Sequence, residues 1–297
     1  MEAGFHYRHS GHWVATSLEL PEWGEPVPRG EPEIVIESRN PVPHVPAGPD
    51  SYDRARDVLA FSQAGAGQWT VEKGTRIAIT PDSTATSQEL RLFTLGSAWG
   101  ALGYQRGWSM WHGSAVSVGD RTAFFCGESG HGKSTMAAAM ARRGHRLVAD
   151  DLSRVEPETG TIWPSASRLK LWNSALGALG WAQDALQRDH FEDDRYHLPM
   201  TEAASRDLPL PIGGIFVLVW GDEVRLERLR GSVAVSALSE AVMYRKAFLE
   251  LMGRLSGHVV GCARIAAQVP VWRLTRPRDF GQIDTICSAT EEAMQTR

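Results

Sequence analysis

Gly127-Glu-Ser-Gly-His-Gly-Lys-Ser-Thr135 reads G-x-x-x-x-G-K-[ST] in full, with Gly127, Gly132, Lys133 and Ser134 at the fixed positions. The run before it, Thr122-Ala-Phe-Phe-Cys126, is short and apolar, as a buried strand would be. The run after it, Met136-Ala-Ala-Ala-Met-Ala141, consists of strong helix formers. The motif therefore sits in the strand–loop–helix setting that a phosphate-binding loop requires. Its glycines let successive backbone N–H groups turn inward toward phosphate oxygens, and the following helix start adds free N–H groups and a partial positive charge. Lys133 is placed to reach the β- and γ-phosphates, and Ser134 to set its hydroxyl on Mg²⁺. Glu128, Ser129, Gly130, His131 and Thr135 complete the expected nucleotide cradle. A glycine-rich turn without a ligand is the plainer alternative, and the flanking strand and helix argue against it.

Working outward, the segment after the helix reads Arg143-Gly-His-Arg-Leu-Val-Ala-Asp-Asp151. Gly144 fits a helix C-terminus, and Leu147-Val-Ala149 a short buried strand with two carboxylates at its end. In an open α/β sheet, ligands sit outside the carboxyl ends of the strands. Asp150 and Asp151 are thus expected beside the γ-phosphate, near Mg²⁺ or a nucleophile; a turn with two solvated Asp residues is the alternative.

The whole chain has 297 residues, 42% apolar and 22% charged, with a formal net charge of −4, an ordinary globular composition with room for one large or two modest domains. There is no basic excess to suggest nucleic acid as a partner. No stretch is long and apolar enough for a spanning helix, and the start, Met1 to Trp13, has no signal-peptide core, so no membrane is expected. Cys126, Cys262 and Cys287 have neither C-x-x-C nor metal spacing, which suits a reducing, cytoplasmic setting. His6, His9 and His12 form a cluster that a polar strand or turn explains better than a metal.

Residues 1–84 read as a β-rich accessory domain, with strand-like runs at 13–20, 33–37, 69–71 and 76–80 separated by proline-dense connections. Residues 85–297 read as the catalytic domain. A helix is expected from an N-cap at Ser87 to near Gly107, followed by a hairpin-like lead, residues 108–118, into the loop strand. Arg168 and Lys170 share a strand face that could grip an anion. A helix is expected over 174–187 and a polar, mobile loop over 188–197, where Arg195 or His197 could act. Residues 213–220 read as a buried central strand, 236–255 and 279–295 as helices, and 269–274 as a last strand.

Three blocks, His112-Gly-Ser-Ala-Val116, Gly127 to Ser134 and Arg143 to Asp151, resemble in order and spacing the catalytic core of the HPr kinase/phosphorylase family, which phosphorylates a serine of a carrier protein. The resemblance implies an α/β fold: a P-loop kinase core of the HPr kinase/phosphoenolpyruvate carboxykinase type, here with a β-rich N-terminal domain. It implies ATP and Mg²⁺ as cofactors, Lys133 on the phosphates, Ser134 on the metal, Asp151 as proton acceptor from the substrate serine, Asp150 as catalytic support for Asp151 or as a metal ligand, and His112 as the active-site histidine. It also implies a homo-oligomer. The family's downstream acidic, glycine-rich signature is absent; Pro211-Ile-Gly-Gly-Ile-Phe216 is the nearest stretch and carries no carboxylate. The family's catalytic arginine has no matched position, with Arg245 a guess. The layout also looks like that of divergent HPr-kinase-like proteins that phosphorylate a serine of a lasso-peptide precursor. The resulting expectation is a serine kinase acting on a protein or peptide. A nucleotide-binding sensor without transfer activity and a small-molecule hydroxyl kinase stay open as alternatives.

Overall fold

The computed structural model describes residues 4–165, 168–183, 186–189, 194–200, 204 and 208–295. The chain forms two compact units, residues 1–110 with 244–257, and residues 111–243 with 258–297. No described helix is long and apolar enough to cross a membrane.

The first unit is built on a seven-stranded sheet. Its strands are β1 (Phe5–His9), β2 (His12–Thr16), β3 (Ile34–Ser38), β4 (Ser51–Asp53), β5 (Val58–Gln63), β6 (Gly67–Glu72) and β7 (Arg76–Pro81), in the order β1-β2-β3-β7-β6-β5-β4. The clustered histidines lie on the β1–β2 hairpin, where His9 stacks on Trp23 at 4.1 Å and His12 bonds Glu33 at 2.7 Å. Helices α1 (Ser87–Phe93) and α2 (Trp99–Gln105) continue through a single π turn at Thr94–Ala98. Thr86, not Ser87, is the N-cap: its hydroxyl accepts from Glu89 N while the Glu89 carboxylate accepts from Thr86 N, a reciprocal capping box.

These helices pack with the first sheet. Trp69 Nε1 donates to Thr94 Oγ1 at 2.9 Å, and the Gln105 amide bridges Gly74, Asp57 and Val71. The packing boundary consequently falls at 110/111, whereas the sequence reading divides the chain at 84/85. Periodicity marks a helix but not the sheet that covers its apolar stripe.

The second unit opens with β8 (Ser109–His112), β9 (Ser114–Val118) and β10 (Arg121–Cys126), then α3 (Lys133–Arg142), β11 (Leu147–Ala149), β12 (Leu152–Glu156) and β13 (Thr161–Ile162). Next come β14 (Arg168–Trp172), α4 (Asn173–Ala178), β15 (Gln187–Arg188), β16 (Arg195–Pro199), β17 (Leu210–Trp220), β18 (Arg225–Leu229) and α5 (Gly231–Ala241). The chain returns to the first unit for α6 (Lys246–Leu251). It then closes the second with α7 (Leu255–Gln268), β19 (Val271–Arg276) and α8 (Ile283–Gln295).

β17 is central, parallel to β10 on one side and to β19 on the other. β9 and β11 extend the sheet beyond β10, and β18 beyond β19, all antiparallel to their neighbours. Alternation along β10 sends Ala123 and Phe125 to the face covered by α3 and α8, and Phe124 and Cys126 to the face covered by α5 and α7; all four are fully buried. A strand covered on both faces has to be apolar throughout, which is why 122–126 and 213–220 read as continuous runs.

Three expectations are corrected here. The helix expected over 174–187 is only Asn173–Ala178, stopped by Gly180 at φ +74°. The loop expected over 188–197 is strand at both ends, with β14, β16 and β15 forming a small antiparallel sheet; residues 184–185 and 190–193 lie outside the described residues. The helix expected over 236–255 is split into α5 and α6, because Arg245 takes a left-handed backbone at φ +46°. A polar run pairs as a strand when one face has a core to lie on: β16 is the middle strand of that sheet, and its Tyr196 and Leu198 are buried against α3 and α4.

Candidate active site

The loop leaves β10 at Cys126 with Gly127, Gly130 and Gly132 at φ +140°, +78° and +69°, a backbone that residues with a Cβ rarely adopt. A Cβ on Gly132 would also lie 2.8 Å from Arg276 Nη2. His131 Nδ1 donates to the Leu218 carbonyl at 2.9 Å, which pins the loop tip to the end of β17. Lys133 opens α3. Its buried ammonium donates to the carbonyls of Gly127 and Glu128, each at 3.1 Å, and burial lowers its pKa.

The carboxylates at the end of β11 meet this loop. Asp150 Oδ1 accepts from Ser134 Oγ at 2.9 Å and from Ser114 Oγ at 2.6 Å, and Oδ2 accepts from the Lys170 backbone N–H at 3.1 Å. Burial, with the negative charge of Asp151 adding to it, raises the Asp150 pKa against those three hydrogen bonds. Asp151 has φ +72°, so its side chain leaves the strand direction. Its carbonyl accepts from Gly113 N at 3.0 Å and from His112 Nδ1 at 2.9 Å, and its Oδ1 lies 3.2 Å from the same imidazole nitrogen. Burial alone would raise the Asp151 pKa. The hydrogen bond and charge of His112, with Lys170 and Arg195 beyond, outweigh it and hold the group well below the usual carboxylate range. Two adjacent carboxyls are thus driven apart in acidity by their surroundings.

These groups line one cavity of about 370 Å³. Of the sequence-predicted residues it brings together His112, Ser129, Gly130, Gly132, Lys133, Ser134, Thr135, Asp150 and Asp151. Gly127, Glu128 and His131 are not on its wall: they frame the loop, and the Glu128 side chain points to solvent near His131. Arg245 does not line it either; it belongs to the first unit and donates to Ser97 Oγ at 2.6 Å. Lys170 of the expected basic face lines the cavity, and Arg168 does not.

Several wall residues carry no local sequence signal. Ser114 was visible only as part of the H-G-S-A-V block. Trp172 and Arg195 are opposite one another in the β14–β16 register, with the guanidinium 5.5 Å from the indole centre. Trp220, Arg276 and Arg278 come from the ends of β17 and β19. Lys133, Lys170, Arg195, Arg276 and Arg278 face Asp150, Asp151 and Asp279, so cations outnumber carboxylates on the wall. Such a wall favours an anionic ligand. Among the described residues no group of three or more His, Cys, Asp or Glu could hold a metal by itself. Ser134 and Asp150 offer adjacent hard oxygens, which fits Mg²⁺, an ion that takes one or two protein oxygens and completes its shell with water and phosphate.

The family model for the HPr Serine kinase C-terminal domain matches residues 107–170, which contain His112, the whole loop, both carboxylates and Lys170. An HPr kinase/phosphorylase of Clostridium botulinum (strain Eklund 17B / Type B) is 37% identical over 69 residues, 23% of this chain and 23% of that protein. One of Chlorobium luteolum is 31% identical over 129 residues, 41% of this chain and 34% of that protein. The solved structure of the HPr(Ser) kinase/phosphatase from Coxiella burnetii aligns with a TM-score of 0.29 and 14% identity, over 63% of this chain and 99% of that one. The chain spans about a quarter to a third of the length of the curated relatives it matches.

Proposed function

From an HPr kinase-like segment at residues 107–170, we propose that this protein is an ATP- and Mg²⁺-dependent kinase that transfers the γ-phosphoryl group to a serine hydroxyl of a protein or peptide. The observation that carries the reading is the convergence of loop and carboxylates. Ser134 and Asp150 are 2.9 Å apart, and Asp151 lies on the same cavity wall as Lys133.

The loop amides and the start of α3 hold the polyphosphate, and Lys133 leaves its carbonyl partners for the phosphate oxygens. Ser134 and Asp150 would hold Mg²⁺, which supplies charge neutralisation across the β- and γ-phosphates when bound. Asp151, ionised and oriented by His112, accepts the serine proton as the serine oxygen bonds to the γ-phosphorus. The bond from that phosphorus to the β–γ bridging oxygen breaks, and ADP carries away the electron pair. Lys170 and Arg195 face the developing charge from across the cavity. The looser resemblance to lasso-peptide precursor kinases supports a ribosomally made peptide as acceptor. Three buried free cysteines support work in the reducing cytosol.

The test is phosphoryl transfer from labelled ATP with Mg²⁺ to a panel of serine peptides, including lasso-type precursors. Asp151→Asn is expected to bind nucleotide like wild type and to lose transfer by at least ~10²-fold. Transfer persisting in Asp151→Asn would remove the base assignment. A second reading, a nucleotide-dependent sensor, is favoured by one observation: residues 211–216 of β17 carry no carboxylate. Equal nucleotide binding by both proteins with no transfer to any peptide would support it.

A further inference from the structure

β17 and β19 run parallel, and their register ends on the pair Trp220 and Arg276. Both side chains therefore stand at the carboxyl edge of the sheet, the edge from which the loop springs. Arg276 is only 4% exposed, yet it lines the cavity. Its guanidinium carbon lies 4.2 Å from the Trp220 ring centre, and its Nη2 donates to the His131 carbonyl at the loop tip. Its Nε is buried with no hydrogen-bond partner, and among the described residues it makes no ion pair. Burial pulls its pKa down to about 10, which still leaves the group charged at neutral pH.

A buried guanidinium without a carboxylate is unfavourable unless an anion is brought to it. Here it is bonded to a loop whose other N–H groups are arranged for phosphate. Stacking on an indole leaves the edge of a guanidinium free to donate in its plane. Resting on the nucleotide-binding reading above, we propose that Arg276, held against Trp220, is a phosphate-binding residue of this site. Its guanidinium donates to an oxygen of a nucleoside polyphosphate while Nη2 keeps its grip on the loop tip. The phosphate-loop motif contains no residue of this kind, so the assignment depends on the β17–β19 register alone. The stacked indole is also a built-in reporter, because an anion arriving at the guanidinium changes the field on Trp220.

Calorimetric titration of ADP, pyrophosphate and inorganic phosphate into the full chain tests this, with Arg276→Gln, Arg276→Lys, Trp220→Phe and Lys133→Ala beside wild type. Arg276→Gln is expected to bind ADP and pyrophosphate about tenfold more weakly, with a shallower dependence on salt because one cation is gone. Arg276→Lys keeps the charge and loses the fork, so it should retain the salt dependence and bind several-fold more weakly than wild type. The tryptophan emission change on ADP addition should be present in wild type and absent from Trp220→Phe while binding persists. Tightest binding of inorganic phosphate would point to a free anion instead of a nucleotide and overturn the proposal. Wild-type affinity in Arg276→Gln, or in Arg276→Lys where the former does not fold, overturns it as well. If Lys133→Ala loses affinity and Arg276→Gln does not, only this inference falls; if neither loses affinity, the loop reading falls with it.

Discussion

His112 Nδ1 sits 2.9 Å from the Asp151 carbonyl and 3.2 Å from Oδ1 of the same residue, so one imidazole nitrogen holds both the backbone and the carboxylate of the aspartate. The positive φ of Asp151 makes this possible by turning carbonyl and side chain toward the same ring. A histidine that fixes the orientation and charge of a carboxylate has a measurable signature in pH.

Replacing His112 with Gln removes the imidazole partner that lowers the Asp151 pKa, and so raises it. Because Asp151 must be ionised to accept a proton, the acid limb of the kcat/KM profile for transfer is expected to move up by about one unit. The linkage runs the same way. A carboxyl depressed in the fold adds stability above its unfolded value near ~4 and loses it as pH falls through the folded value. The extra stability of wild type over the variant should therefore be present at neutral pH and fade in acid. An unmoved acid limb in a variant that still transfers would separate His112 from Asp151.

Asp150 accepts from Ser134, Ser114 and the Lys170 backbone. Asp150→Asn is expected to leave Mg²⁺-free ADP binding close to wild type and to weaken the tightening that Mg²⁺ brings by roughly tenfold. Titration of Mg²⁺ at fixed nucleotide reads this out. A Mg²⁺ response equal to wild type would place the ion elsewhere.

Gly113 is crowded, not flexible. A Cβ there would lie 2.5 Å from Cζ of Phe124 and 2.6 Å from the Phe125 carbonyl oxygen. Both neighbours belong to the strand that feeds the loop, and the carbonyl cannot move without breaking the β9–β10 ladder. Gly113→Ala is expected to cost about 2–3 kcal/mol, lowering the melting temperature by roughly 5–10 °C. A thermal melt unchanged from wild type would show that the two strands give way more easily than a packed core should.

Glu291 on α8 receives Arg143 at 2.7 Å and His145 at 2.8 Å, and Arg143 first, then His145, draws its pKa down to about 2. The sign is that of a depressed carboxylate: stability present above about 4.5 in pH and lost as pH falls toward about 2. Glu291→Gln should be less stable than wild type by about 1 kcal/mol at neutral pH, with the gap closing in acid. Urea unfolding at pH 7 and at pH 4 measures it, and a gap that widens in acid would contradict the pairing.

The glycine-rich loop, the strand and helix on either side and the paired carboxylates after β11 were legible in the sequence, because each depends on neighbours within a few residues of chain, whereas His112 was marked only by the family resemblance. Glycine at a left-handed φ, a helix former after a loop and an apolar run buried on both faces are local choices, and local physics leaves a mark in local sequence. No described helix is apolar and long enough to span a bilayer.

The tertiary structure alone decided the rest of the cavity wall and the extent of each unit. Residues 188–197 look like a solvated loop until Arg195–Pro199 finds β14 as a partner. Trp172 meets Arg195, and Trp220 meets Arg276, through strand register, across 23 and 56 positions of chain. Register is set by which faces are buried once the sheets assemble, and no short window of sequence contains that information. The chain wrote its glycine-rich loop in adjacent letters, and pairing between distant strands chose the cations that surround it.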